Sequence, residues 1–363
     1  MSSPDQNTSS SDNVNSTIAS SSAMDPALDK FFSALGISIC IIGFFANLSV
    51  VLAFLTHRRL RTKVNAFLVS LAVSGLLLTG VSMPLEMEWH IRSEFIHSVI
   101  VCDLLYTNNF LTITSSSLNL LLISIYRYLS IAFPFFMKRV VSFHVLLSLV
   151  LVWFYSGLTA SLPLLGWRSS PSNVSGTCDY SFEHEFILFI LVTNWLLPAV
   201  LVFFFYGLIF RIARIQAIKI VRNKVLSEHE KIRSPLFKGA KTLAKIAAVY
   251  LICWFPYVIE VLLVMSRLIT ASAVPGEVHY TFVFLCYMSA VISPFLYAGL
   301  CKDFREVFRK ARNQLTVKFR CLCEWPRRFV SARRSDSKKA STRSREPLGS
   351  SSVYHQQTGA SLV

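Results

Sequence analysis

Charge is scarce in the middle of this sequence. Only 15% of the 363 residues are Asp, Glu, Lys or Arg, against 53% hydrophobic, and the charge gathers at the two ends and in a few short loops. A soluble domain of this length needs a charged surface, and residues 31–300 do not carry one. Acids are the rarer sign, 20 against 36 basic residues, giving a net charge of +16. The chain has no Gly-rich phosphate loop beside a strand, no metal-type Cys/His spacing and no evident internal repeat. The period-2 alternation of membrane-barrel strands is missing too. Residues 1–29 are Ser- and Asn-rich, without an early basic cluster or a short apolar core, so no cleaved signal peptide is expected there.

What is present is a series of long apolar blocks, about 31–56, 64–88, 99–132, 144–166, 186–212, 240–266 and 279–300. Each is roughly 20–30 residues, enough to cross a hydrocarbon layer as a helix. In lipid only helices and closed barrels satisfy the backbone, so these seven blocks are helices and the fold is an all-α seven-helix membrane bundle. Lys and Arg in short loops set the orientation. "HRRLRTK" (57–63), "KRVVSFH" (138–144), the basic segment from about Arg211 to Lys245 and the basic tail belong in the cytoplasm. The alternate loops carry Glu86, Glu88, Glu94, Asp179, Glu183, Glu185 and Glu277, so the N-terminus is outside and the C-terminus inside. The +16 charge is then an inside-facing surface beside anionic lipid, not a nucleic-acid site.

Of eight cysteines only Cys102 and Cys178 fall on the outer side, where an oxidising compartment pairs them as one disulfide. Cys40, Cys253 and Cys286 read as small buried hydrophobes. Cys321 and Cys323, in the basic and aromatic stretch "KFRCLCEWPRR", suit reversible palmitoylation. Asn7, Asn15 and Asn173 head outer-side N-x-S/T sequons and are candidate glycosylation sites, whereas Asn47 lies inside the first block.

Arg127 stands in "NLLLISIYRYLSIAFP" (119–134), and an ionisable residue inside a membrane helix is by default a functional one. Asn109 lies five helical turns earlier on the same face, about 27 Å away, so one rigid rod joins the outer and inner ends.

Together these features resemble the rhodopsin-like (class A) G-protein-coupled receptors over residues 30–312. The motifs that carry the resemblance run in order. They are Asn47 in "GFFANLSVV", the second-helix "NAFLVSLAVSGLL", "YRY" (126–128) where the family has D-R-Y, Trp153 and Pro163, Pro198 followed by Tyr206, "CWFP" (253–256), "SPFLY" (293–297) where the family has N-P-x-x-Y, and "CKDFREVFRK" (301–310), similar to the amphipathic eighth helix. The sub-family look is closest to the amine, adenosine and melatonin branch.

The resemblance implies four segments: an extracellular, disordered, glycosylated stretch (1–30), the seven-helix domain (31–300), an amphipathic juxtamembrane helix (301–312) and a disordered cytoplasmic tail (313–363). It implies a plasma-membrane receptor, not an enzyme, without a cofactor, that binds an extracellular ligand and activates a heterotrimeric G protein. The implied ligand pocket is lined by Asn109, Phe110, Ile113, Ile190, Asn194, Trp254, Tyr257, Val258, Val261, Val283 and Tyr287, with Asp179 and Tyr180 under the loop disulfide. The implied switch comprises Tyr126, Arg127, Tyr206, Pro256, Pro294 and Tyr297. Amine receptors place an aspartate where this chain has Asn109, and opsins a lysine where it has Tyr287, so both classes are disfavoured. Relatives hold sodium with an aspartate, a serine and an asparagine; here Gly75, Ser116 and Ser293 stand there, so no sodium site is expected. Tyr126 and the neutral or basic "SPLFKGAKTLAK" (234–245) remove both usual restraints on Arg127, which predicts raised signalling without ligand. The same departures fit a rival reading, a receptor silent toward G proteins; a transporter or channel is the remote alternative. Ser335, Ser337, Ser341, Thr342 and Ser344 make phosphorylation and arrestin docking the expectation for the tail. The terminal "ASLV" fits a PDZ-domain ligand, with Ser361 and the carboxylate of Val363.

Overall fold

The computed structural model describes residues 26–92, 95–167, 178, 182–223, 228–270, 273–314 and 316. Seven helices are long and apolar enough to cross a membrane: α1 Lys30–Thr56, α2 Lys63–Trp89, α3 Val99–Ala132, α4 Ser142–Ser161, α5 His184–Gln216, α6 Gly239–Met265 and α7 Gly276–Leu300. The described residues contain no strand. The chain divides into Met1–Val307, which holds the bundle, and Phe308–Val363, whose described residues are helical.

Hydropathy places these helices but does not say which faces meet, because lipid is as apolar as leucine. Small and polar side chains decide that. Buried hydroxyls and amides are dense on α3: Asn108, Thr112, Thr114, Ser115, Ser117, Asn119 and Ser124. Accordingly α3 is the axis and packs against α2, α4, α5 and α6, while α7 closes the ring against α6 and α1. The joints are hydrogen bonds. Ser74 and Ser115 hydroxyls meet at 2.7 Å, Asn108 Nδ2 donates to Ser82 Oγ at 2.7 Å, and Trp153 Nε1 donates to Ser70 Oγ at 3.0 Å. The opposite faces carry Phe45, Phe154 and Ile252, 62%, 69% and 69% exposed, as suits a lipid-facing surface.

Two π turns interrupt the rods, Leu78–Ser82 in α2 and Leu191–Leu196 in α5, each just before a proline, Pro84 and Pro198. Proline lacks an N–H and crowds the carbonyl four residues earlier, and the wider turn relieves that clash. The extra residue rotates the following helix by about 100° relative to plain α-helical counting.

Helical boundaries depart from the hydropathy blocks in two places. The block ending at 166 stops being regular helix at Ser161; Leu162 keeps helical dihedrals (φ −55°, ψ −39°), but Pro163 has no N–H to continue the ladder, and the chain turns through Gly166 at φ +112°. The basic segment expected as a loop from Arg211 is largely helical, with continuous helix over Leu197–Asn223 and Glu228–Met265. Residues 302–314 are helical as well, and Arg59 pairs with Asp303 (3.8 Å) and Glu306.

Candidate functional site

The expected Cys102–Cys178 disulfide is present, with Cα atoms 5.8 Å apart, and marks one end of the bundle. Around it pack Phe95 and Leu105, and the Tyr106 hydroxyl donates to the Cys178 carbonyl at 3.0 Å. An aromatic wall follows. Phe110 meets Phe182 and Phe186 edge-on, each at 5.2 Å, and Trp167 covers Phe186 at 5.7 Å.

Polar groups also surround the Tyr257 phenol: Glu86 on α2, Tyr106 on α3, Glu260 on α6 and Cys286 on α7 lie within electrostatic reach of it. Asn109 Nδ2 donates to Glu86 Oε1 at 2.6 Å. His279 Nδ1 lies 2.7 Å from Glu260 Oε1, and its ring is 6.1 Å from that of Tyr257. Tyr257 in turn meets Trp254 edge-on at 6.3 Å, and Trp254 Nε1 donates to Ser289 Oγ at 3.2 Å. This chain of contacts links the Tyr257 cluster to Ser289 on α7 through Trp254.

Not every expected pocket residue points there. Asn194 is fully buried, and its amide is consumed within the bundle: Nδ2 donates to Thr114 Oγ1 (3.0 Å) and Oδ1 accepts from Tyr155 (2.9 Å). Tyr287 packs in a cluster with Phe32, Ile39, Met87 and Phe284, towards α1 and α2. Ile113 lines a deeper cavity, Ile190 and Val258 are buried, Val283 borders the Tyr287 cluster, and Val261 is half-buried. Glu86 is the residue that sequence reasoning does not bring beside Asn109. The sequence groups it with the acidic outer loops, although an acid inside an apolar block is itself a signal. The π turn at Leu78–Ser82 lies between the second-helix motif "NAFLVSLAVSGLL" and Glu86, so counting from that motif does not give its direction.

The deeper cavity, about 20 Å³, is lined by Asn47, Ser74, Gly75, Ser116, Ser289 and Ser293 together with Trp254, and no acid reaches it. That volume fits about one water. Asn47 fills the room where a side chain at position 75 would stand: a Cβ on Gly75 would be 2.6 Å from Asn47 Oδ1. Asn47 Nδ2 bonds the Gly43 carbonyl (2.9 Å) and the Ala290 carbonyl (3.1 Å), tying α1 to α7.

At the other end Arg127 is half-buried, and among the described residues no carboxylate and no hydrogen-bond partner reaches it. Its guanidinium lies against the bare backbone of α6, where a Cβ on Gly239 would be 3.2 Å from Nη1. Tyr206 and Tyr126 are within electrostatic reach. Tyr126 turns aside to pack on Phe67 at 5.8 Å, and Tyr128 packs on Phe205 at 5.5 Å. Tyr297 is fully buried, 6.4 Å from Phe304. Pro256 and Pro294 lie inside their helices. Asn7, Asn15, Asn173, Asp179, Tyr180, Cys321, Cys323, the tail serines and Val363 lie outside the described residues.

A model of the 7 transmembrane receptor (rhodopsin family) matches residues 46–297. The chain is similar to the histamine H2 receptor of Homo sapiens, 30% identical over 343 residues that cover 91% of each chain. The histamine H2 receptor of Canis lupus familiaris is 29% identical over 323 residues, 85% of each chain. The alpha-1A adrenergic receptor of Oryzias latipes is 24% identical over 307 residues, 76% of this chain and 65% of that one.

Proposed function

Because the chain belongs to the rhodopsin family of seven-transmembrane receptors, we propose that it receives an extracellular ligand in the Tyr257 cavity and activates a heterotrimeric G protein at its Arg127 end. The chain is a multi-pass membrane receptor rather than an enzyme. In this reading the disulfide end faces outward and the Arg127 end faces the cytoplasm. The observation that carries it is the shared rod: α3 presents Asn109 to Glu86 at one end and, at the other, an arginine that no carboxylate among the described residues reaches. Ligand-driven movement of Trp254 and α6 frees the guanidinium from its seat on Gly239.

The ligand carries a protonated nitrogen. Two of the similar proteins are named for histamine and adrenergic ligands. The sequence argument against amines rested on neutral Asn109, yet Glu86 stands 2.6 Å behind that amide and supplies the missing charge from α2. Arrestin and a PDZ-domain protein are further proposed cytosolic partners, through the tail serines and Val363, with palmitoylation at Cys321 and Cys323 and glycosylation at Asn7, Asn15 and Asn173.

Basal activity is part of the proposal. If the missing restraints on Arg127 are worth about 1.4 kcal/mol, the active fraction rises about tenfold while it stays small. The test is G-protein activation in cells without ligand, normalised to surface expression. The expected result is a signal that falls in Tyr126→Asp and in Arg127→Ala. A surface-expressed receptor silent across all G-protein families, before and after Tyr126→Asp, overturns this reading. It would favour a ligand-binding receptor that does not couple, the reading for which Tyr126 and Ser293 speak.

A further inference from the structure

The surroundings of Tyr257 hold more carboxylates than one ammonium needs. Glu86 on α2 and Glu260 on α6 both act on the Tyr257 phenol from different helices. Among the described residues no Lys or Arg pairs with either; Arg92, the basic residue just beyond α2, is taken by Glu88 at 3.0 Å. Each carboxylate has one local donor, Asn109 for Glu86 and His279 Nδ1 for Glu260. Those donors leave acceptors over. Glu260 is nine-tenths buried and its Oε2 has no partner; Asn109 Oδ1 is likewise buried without one. Buried acceptors without donors are costly, and a carboxylate inside a membrane span is costlier. Both vacancies call for the same complement, an N–H donor bearing positive charge. Both carboxylates act on Tyr257, whose ring meets Trp254 at 6.3 Å, and aromatic faces attract such a cation.

We propose that the cavity recognises a ligand with two protonated nitrogens, one seated between Glu86 and Asn109 and the other on the free oxygen of Glu260, with the connecting chain lying across Tyr257. This deepens the receptor reading above and rests on its placement of the ligand in this cavity. The first nitrogen replaces no existing contact of Glu86: Oε1 keeps its Asn109 bond while Oε2 and Asn109 Oδ1 accept from the ligand. The second takes Oε2 of Glu260 while His279 keeps Oε1. A ligand with one charge leaves one carboxylate uncompensated.

The test is direct binding to the purified full-length receptor in detergent, read by saturation-transfer NMR and by thermal shift, so that G-protein coupling plays no part in it. The probes are α,ω-diaminoalkanes of increasing length and the n-alkylamines of matching length. The expected result is an optimum length at which the diamine binds at least about tenfold more tightly than its monoamine, the factor for one partly desolvated charge pair worth about 1.4 kcal/mol. Glu86→Gln and Glu260→Gln should each bring the diamine down to the monoamine level while leaving the ligand-free melting temperature close to wild type; glutamine preserves the acceptors for Asn109 and His279. Equal binding of diamines and monoamines overturns the proposal, as does Glu260→Gln without effect on the diamine, which would confine Glu260 to its contact with His279. Absence of binding by any diamine overturns it too. Basal G-protein signalling that persists in that case leaves the receptor reading standing, and diamine binding by a receptor silent in cells would fail the receptor reading alone.

Discussion

Replacing Gly75 by alanine adds one methyl group where the structure has no room for it. The new Cβ would stand 2.6 Å from Asn47 Oδ1 and 2.8 Å from both Cγ and Nδ2, so the amide must swing away. In swinging it gives up its bonds to the Gly43 and Ala290 carbonyls. At about 1 kcal/mol for each bond, and up to about 2 where a buried group stays unsatisfied, the loss is about 2–4 kcal/mol. Alanine returns about 1 kcal/mol of helix propensity over glycine. The net expectation is a receptor destabilised by about 1–3 kcal/mol, a fall of several degrees in melting temperature for a protein of this size. The assay is thermal unfolding of the purified receptor for wild type, Gly75→Ala, Asn47→Ala and the double variant. With Asn47 already truncated, Gly75→Ala should be neutral or stabilising, giving a coupling of about 2 kcal/mol between the two sites. A Gly75→Ala protein that melts at or above wild type with Asn47 intact, or a cycle that is additive, refutes the assignment of that space to the Asn47 amide.

Three other outcomes are expected. Cys178→Ser opens a loop whose ends are 76 residues apart in sequence, a loss of about 4.5 kcal/mol by chain entropy, and should show as poor surface delivery or weak ligand binding. Ligand affinity should not change when sodium replaces another monovalent cation at constant ionic strength, because the small cavity below Trp254 offers hydroxyls and an amide but no carboxylate; a sodium-specific loss of agonist affinity would contradict that. Gly239→Val places branched carbon where the Arg127 guanidinium rests and should raise ligand-free signalling above wild type at equal surface expression, whereas an unchanged or lowered signal would mean that the guanidinium does not hold α6.

The long-range layout was legible because lipid imposes a simple length and hydropathy rule. The start and end of α3 coincide with the apolar block at 99–132, and the disulfide followed from counting cysteines on one side. Finer detail is not legible where direction depends on neighbours. For Asn194, a hydroxyl on α3 and a phenol on α4 bond its amide, which the sequence does not display. Tyr287 turns to the Phe284 cluster because α1 offers Phe32 and Ile39 there. Glu86 needed two facts that a sequence does not display: the π turn ahead of Pro84, and the presence of Asn109 on the next helix to hold its carboxylate.

The self-sufficiency of Asn194 bears on how chemists would elaborate a ligand for this receptor. With its nitrogen bonded to Thr114 and its oxygen accepting from Tyr155 and Thr193, Asn194 itself has little polar capacity left to offer. A hydroxyl or amide aimed at Asn194 would shed its water and find no replacement in that side chain, at a cost of about 1–3 kcal/mol, or roughly one to two orders of magnitude in affinity. Hydrocarbon or aryl bulk added there would instead meet Phe110, Phe182 and Phe186. Potency gained by enlarging the greasy end, and lost by decorating it, would be the medicinal signature of an asparagine already spoken for.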